Sequence, residues 1–550
     1  MKKLLAFSLA CIMLFAMAAC APEDSGTTTT TAPSSSSGTT TKPADTTSGS
    51  QTGGEKIVRC GRELSSLGNL DVWLTTYNII FEHSDAILDR LIDKNPDTLD
   101  LELNLLESFP TLSDDGLTYS FKLKEGVKFH DGTELTTEDV EFTFIRFFYR
   151  DGASVNAELV AMIKGADAMM KGEATTLEGF EIVDKYNFNI TLEYPYTAFE
   201  SILSISMLPI LPKKACTEAG DKWGIDVFIG SGPYILKEFT PFVKLRMDKN
   251  PDYHGKVPEV DAIEVIHMDY DTALLEWEAG TIDIAVFQSL ELVADYQARF
   301  PNNVLGQEYV GTIWLQLNQD LEPLNNLKVR QAIAHATDKS EIVQGYKDGY
   351  VKTANTILPN GIPGHNPNAP DNVYDVELAK TLLAEAGYPE GFTMTATCRD
   401  VSTSTQEMLQ ILKQQYAKVG ITLEIEMVDA AGWLDKRSNG NVMFWFGNWY
   451  ADYIDGDMYM FSLFHSQFAT FFSTGFRNDW WDEQVMYART LSGQEKIDQY
   501  MMMDNYLVYE DYAIIPLYQD KGFMLQSDRV EGVFLKKDML FTYTGAQIVE

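Results

Sequence analysis

The chain has 550 residues, with 80 acidic against 43 basic side chains and a formal net charge of −37. A surface that negative repels phosphate backbones and anionic headgroups, which excludes nucleic acid as a partner. About 500 residues follow an N-terminal low-complexity stretch, enough for a sizeable core and for two to four domains or lobes.

The chain opens on Met1, Lys2 and Lys3, runs through an apolar stretch from Leu4 to Ala19, and reaches Cys20 behind Ala18 and Ala19. This is the pattern of a secretory signal, too short for the roughly 20 residues that span a bilayer. The run Met17, Ala18, Ala19, Cys20 resembles the lipobox of bacterial lipoproteins, with Met17 where leucine is usual. That resemblance implies cleavage before Cys20 and a two-chain lipid on its sulfur, which anchors stably. An ordinary cleaved signal with an incidental cysteine is the alternative. Residues 25–54 are almost entirely Ser, Thr, Gly and Pro, so they form no core and read as a tether reaching about 30 Å.

Beyond the tether, short apolar runs alternate with amphipathic stretches, which predicts mixed α/β lobes. In residues 121–149, FKLKEGVKFHDGTELTTEDVEFTFIRFFY, Phe121 and Leu123 alternate with Lys122 and Lys124 as on a half-buried strand. Thr136 and Asp139 then form a capping box, and Val140, Phe144, Phe147 and Phe148 share one helical face. Residues 230–239, GSGPYILKEF, are a glycine-rich turn into a strand, followed by a strand with Val243, Leu245 and Met247 inward. Pro233 and Ile235 exclude a phosphate loop there. In residues 323–343, PLNNLKVRQAIAHATDKSEIV, Val329, Ile333 and Ala336 face inward and Asp338 caps the next helix. In residues 374–391, YDVELAKTLLAEAGYPEG, Asp375 caps a helix with Val376, Ala379, Leu382, Leu383 and Ala386 as its stripe, ended by Gly387 and Pro389.

In their order and spacing, these segments resemble family 5 of the bacterial extracellular solute-binding proteins, the oligopeptide, dipeptide and nickel receptors of ABC importers. The resemblance runs from about residue 57 to about 520. It implies an α/β, two-lobe periplasmic-binding-protein (Venus flytrap) fold, its lobes joined by two crossing strands, with an extra insert domain in the first lobe. The expected boundaries are 55–85, 190–308 and 515–550 for the first lobe, 86–189 for the insert and 309–514 for the second lobe.

Catalytic, metal and cofactor motifs are not found. The seven histidines are scattered without HExxH, and neither a GxSxG elbow nor a Walker A loop occurs. No enzyme activity, metal or cofactor is expected, and His130 reads as structural. Cys60, Cys216 and Cys398 read as isolated buried thiols, one long-range disulfide being the alternative.

The informative segment is 441–464, NVMFWFGNWYADYIDGDMYMFSLF. Val442 to Phe446 reads as a strand buried on both faces, ending in a loop of Trp449, Tyr450, Ala451, Asp452 and Tyr453. Ligands of open α/β sheets bind at such loops, and aromatic faces around one carboxylate suit a peptide ammonium. The competing reading packs the aromatics into the core and uses the acid as a cap, a role better suited to Asp455 and Asp457. The family resemblance implies ammonium binding at Asp452, with Trp449, Tyr450 and Tyr453 lining the cleft. Trp314, Trp433 and Trp445 read as core, and Arg330 as part of a structural ion pair.

The resemblance thus implies a monomeric receptor, lipid-anchored through Cys20 to the outer face of the cytoplasmic membrane. It would capture peptides for an ABC permease and an ATPase on other chains. A receptor of the same fold for a nickel chelate, sugar or opine, or a peptide-sensing signalling receptor, remains the alternative.

Overall fold

A computed structural model describes residues 54–549, with 76, 149–153, 155, 289, 346–348 and 401–402 excepted. The signal stretch, Cys20 and all of the tether but Gly54 lie outside the described residues. Residues 56–549 form one compact unit. No helix among the described residues is long and apolar enough to cross a membrane.

The frame is an eleven-stranded mixed sheet. Near one end, Ile57–Arg62 lies parallel to Ala262–His267 and to Ile284–Val286, with Lys244–Lys249 antiparallel beyond. Towards the other end, Thr393–Arg399 lies parallel to Thr422–Val428 and to Phe444–Tyr450. Two long antiparallel strands, Val304–Leu317 and Ile514–Gln526, join the halves, and their register shifts between Glu308 and Thr312. They are the crossing strands that the resemblance implied.

Three apolar clusters flank this frame. One gathers Val58, Phe81, Tyr234 and Val265, a second gathers Leu315, Ile333, Leu383, Leu412 and Phe444, and a third gathers Leu274, Trp277 and Leu525. Residues from Ala451 to Val508, including Tyr459, Trp481 and Tyr500, belong to the first cluster. The C-terminal residues Val530, Leu535, Phe541 and Tyr543 join it there.

Local sequence explains most elements. Thr136 and Asp139 make the capping box of the helix Thr137–Arg146, and Val140, Phe144, Phe147 and Phe148 are buried. Those side chains sit beside a four-stranded antiparallel sheet in which the Phe121 and Phe188 rings stack at 4.7 Å. Asp375 caps Val376–Glu385 through the amides of Glu377 and Leu378, and Asp338 accepts from the Glu341 amide. His130 is structural, accepting from the Gly230 amide at Nδ1 and facing the Gly232 carbonyl at 3.0 Å through Nε2. Arg330 bonds the carbonyls of Leu324 and Asp511 and the Asp511 carboxylate. Cys60, Cys216 and Cys398 are buried and free.

Two expectations are corrected. Val243 is 52% exposed, because residues 241–243 are the hairpin turn between Tyr234–Thr240 and Lys244–Lys249, so only Leu245 and Met247 face inward. The strand expected to end near Phe446 continues through Trp449 and Tyr450, because both pair with the long strand, Thr312 opposite Trp449 and Gly311 opposite Tyr450. Gly311 is required at that spot: a Cβ there would lie 2.2 Å from the Tyr450 ring.

Candidate ligand-binding cavity

Where the strand Phe444–Tyr450 ends, it opens on a cavity of about 270 Å³. Trp449, Tyr450, Ala451 and Asp452 form one wall. The opposite walls come from distant segments: Phe81 and Lys94, the run Ile205 to Met207, and the run Asp538 to Leu540. The lining mixes polar and apolar surface, and the ionisable side chains among the lining residues are Lys94, Tyr450, Asp452 and Asp538.

The charges are unevenly satisfied. Lys94 Nζ lies 3.0 Å from Asp538 Oδ2 and donates to the backbone carbonyl of Asp452 at 3.2 Å. Burial opposes the charge on Asp538, but the ammoniums of Lys536 and Lys94 hold its carboxyl well below the usual carboxylate range. Asp452 is different: its carboxylate has no hydrogen-bond partner among the described residues. Burial pushes its carboxyl up to about 6, against the pull of Lys94 and with the push of Asp538. Folding therefore strains this acid, and an incoming cation would relieve it.

Of the aromatics expected at the site, Trp449 and Tyr450 line the cavity, and Tyr450 donates to Asp520 Oδ2 at 2.6 Å. Tyr453 turns away into the core. Its hydroxyl lies 3.2 Å from that of Tyr196 and donates to Asp457 at 3.3 Å, and it does not line the cavity. Asp455 accepts from the Asp457 amide, the cap-like role expected of it, and also pairs with Lys496. Asp457 is no cap: buried in the first turn of Asp457–Phe464, it pairs with Arg489. Trp314 and Trp433 both pack against Trp445.

Sequence reading missed Lys94, Met207, Asp538 and Met539. They lie hundreds of residues from Asp452 or in segments without any motif, and only the tertiary fold brings them together. Among the described residues, no three His, Cys, Asp or Glu side chains gather as a metal site.

The family model for the bacterial extracellular solute-binding proteins, family 5 Middle, matches residues 100–471. The chain belongs to that family. As a family 5 solute-binding protein of ABC importers it is an extracytoplasmic, substrate-binding transport component. Family 5 relatives include heme-binding protein A of Haemophilus influenzae, 26% identical over 83% of this chain and 85% of the relative. The glutathione-binding protein GsiB of Escherichia coli is 28% identical over 81% of this chain and 86% of the relative. A solved structure of the periplasmic binding protein DppA from Helicobacter pylori, in complex with the peptide STSA, matches with a TM-score of 0.72 at 24% identity. The match covers 90% of this chain and 98% of that one.

Proposed function

We propose that this protein captures peptides outside the cell through a free terminal ammonium seated on Asp452, and hands them to a permease driven by an ATPase on other chains. One observation carries the reading: a partly buried carboxylate at a cavity wall, strained by its surroundings and without a hydrogen-bond partner among the described residues. An ammonium supplies both the charge and the donors that this acid lacks. The faces of Trp449 and Tyr450 offer apolar cover to a neighbouring side chain of varied shape. Cys20 carries the lipid and residues 25–54 the tether, which hold the receptor near its transporter; it works there as a monomer. The lobes are divided as 55–85, 190–308 and 515–550 against 309–514, with 86–189 inserted in the first.

The names of two relatives raise heme and glutathione as ligands. Glutathione is itself a peptide with a free ammonium and fits the same reading. Heme has no ammonium and would leave Asp452 uncompensated.

Mass spectrometry of ligand released by denaturing the purified protein tests the class directly, peptides being expected and a porphyrin overturning the reading. Titration with free and N-acetylated peptides tests the site. Wild type should prefer free termini, and Asp452→Asn should weaken them by between roughly thirtyfold and several thousandfold, the cost of removing one partner of a desolvated charge pair. Equal binding of blocked and free peptides to wild type would remove Asp452 from the site.

A further inference from the structure

The C-terminal hairpin carries an unusual residue into the cavity. Phe534–Leu535 pairs antiparallel with Phe541–Thr542, and the tip closes with Lys536 N donating to Leu540 O at 2.7 Å and Met539 N to Lys536 O at 3.1 Å. At this tip Met539 has φ of 71°. That left-handed conformation crowds the Cβ of an L-residue, and glycine is the usual occupant. Backbone strain of this kind persists where surrounding structure enforces it, and it concentrates at ligand sites. Here the side chain retained at that cost lines the cavity beside Leu540 and Trp449. Methionine is unbranched and polarisable, so it moulds itself to apolar groups of different shape.

The same tip sets the charge of the site. Asp538 lies 3.0 Å from Lys94 and 3.7 Å from Lys536, and Lys536 reaches Asp85 at 3.0 Å. Asp85 also pairs with Arg90, which bonds Asp93 at 2.8 Å. With Asp452 this network holds four carboxylates against three cations, leaving a single negative charge. One ligand ammonium neutralises it. A charged side chain beside that ammonium meets only Lys94 and Asp538 as further ions of the cavity wall, and these already pair with each other at 3.0 Å.

We infer that the hairpin tip, through Met539 and the Lys94–Asp538 pair, is the specificity-determining wall of the cavity, and that it selects a ligand whose ammonium-bearing residue has a neutral, apolar side chain. The inference rests on the ammonium reading of Asp452. Calorimetric titration with Leu-Gly-Gly, Lys-Gly-Gly and Glu-Gly-Gly tests it. Wild type should bind the leucyl peptide at least about tenfold more tightly than the other two. Met539→Gly should shrink that margin to within about threefold, while keeping the melting temperature within a few degrees, since glycine relieves the strain as it removes the side chain. Lys94→Met should shift the balance towards the lysyl peptide by about tenfold, because it leaves one more uncompensated carboxylate. Equal wild-type affinities overturn the inference and leave the ammonium reading standing, and so does an unchanged leucyl preference in both variants. If none of the three binds wild type, the reading and the inference fall together.

Discussion

Arg489 grips Asp457 with two charge-assisted hydrogen bonds, Nε to Oδ1 at 2.7 Å and Nη2 to Oδ2 at 2.9 Å, and both side chains are buried. Tyr196 donates to the same carboxylate at 2.7 Å, and the guanidinium carbon sits 3.5 Å from the Phe461 ring centroid. The pair thus fastens the segment just beyond Asp452 to the helix Asp479–Ala488, which Arg489 ends, and to residue 196.

Breaking that pair from one side should be severe. Arg489→Met strands a buried carboxylate and should cost about 3–5 kcal/mol in urea unfolding. Adding Asp457→Asn should recover a large part of the loss, because the stranded charge is gone. If the double variant is as unstable as the single one, the loss comes from packing on Phe461 instead.

Asp452 should make the ligand-free protein more stable in mild acid. Its folded pKa, about 6, is raised from an ordinary 3.8. The folded state therefore binds the proton more tightly, and stability from this group, full below pH 3.8, is lost as pH rises through 6. The total is about 3 kcal/mol. Asp452→Asn should flatten that part of the profile and melt above wild type at pH 7 to 8. Peptide affinity should move the other way, falling by up to about tenfold per pH unit below 6 as the carboxylate protonates. An affinity independent of pH between 4 and 8 would sink the assignment.

His83 should act as an acid-labile point. Its side chain is fully buried and neither ring nitrogen has a hydrogen-bond partner among the described residues. Burial, with the nearby Arg62 guanidinium, pushes the imidazole down from 6.5 to about 3. A depressed histidine pKa gives stability that is full above pH 6.5 and lost as pH falls towards 3, by about 5 kcal/mol if the fold survives that far. His83→Leu removes both the proton site and the unsatisfied nitrogens, so it should resist acid better than wild type while changing little at pH 8. Parallel acid-denaturation curves for the two proteins would refute this.

Cys20→Ala should release the protein from membranes into the soluble fraction of the cells that express it. Retention in the membrane pellet after a high-salt wash would mean that the anchor lies elsewhere.

The features legible in the sequence are those set by neighbours along the chain. Thr136 with Asp139, and Asp375 with the two amides it caps, are separated by three residues or fewer, and the buried face of Val140 and Phe144 follows from helical spacing. That Asp452 lines a cavity was legible from its loop at a strand end, and the ammonium role proposed for it from the aromatic faces around one carboxylate and from the resemblance to a known family. What could not be read is what the loop meets. Trp449 and Tyr450 look like loop residues until Thr312 and Gly311 pair with them, and Tyr453 looks available until Tyr196 and Asp457 claim its hydroxyl. Likewise Asp455 and Asp457 read as caps because their cations, Lys496 and Arg489, lie more than 30 residues further on. Long-range ion pairs leave no periodic trace.

The three buried thiols give the molecule a built-in chemical clock. Cys60 and Cys216 belong to one apolar cluster and Cys398 to another. Burial raises the pKa of all three, to about 11 at Cys216, so in the closed fold each is both hidden and largely unreactive. An alkylating reagent can reach them only when the surrounding cluster opens, and the order of modification then records which core yields first. Simultaneous loss of all three thiols would mark a single cooperative unit spanning the long strands. Early loss of Cys398 alone would mean that the second core breathes independently of the first, without any label having been introduced.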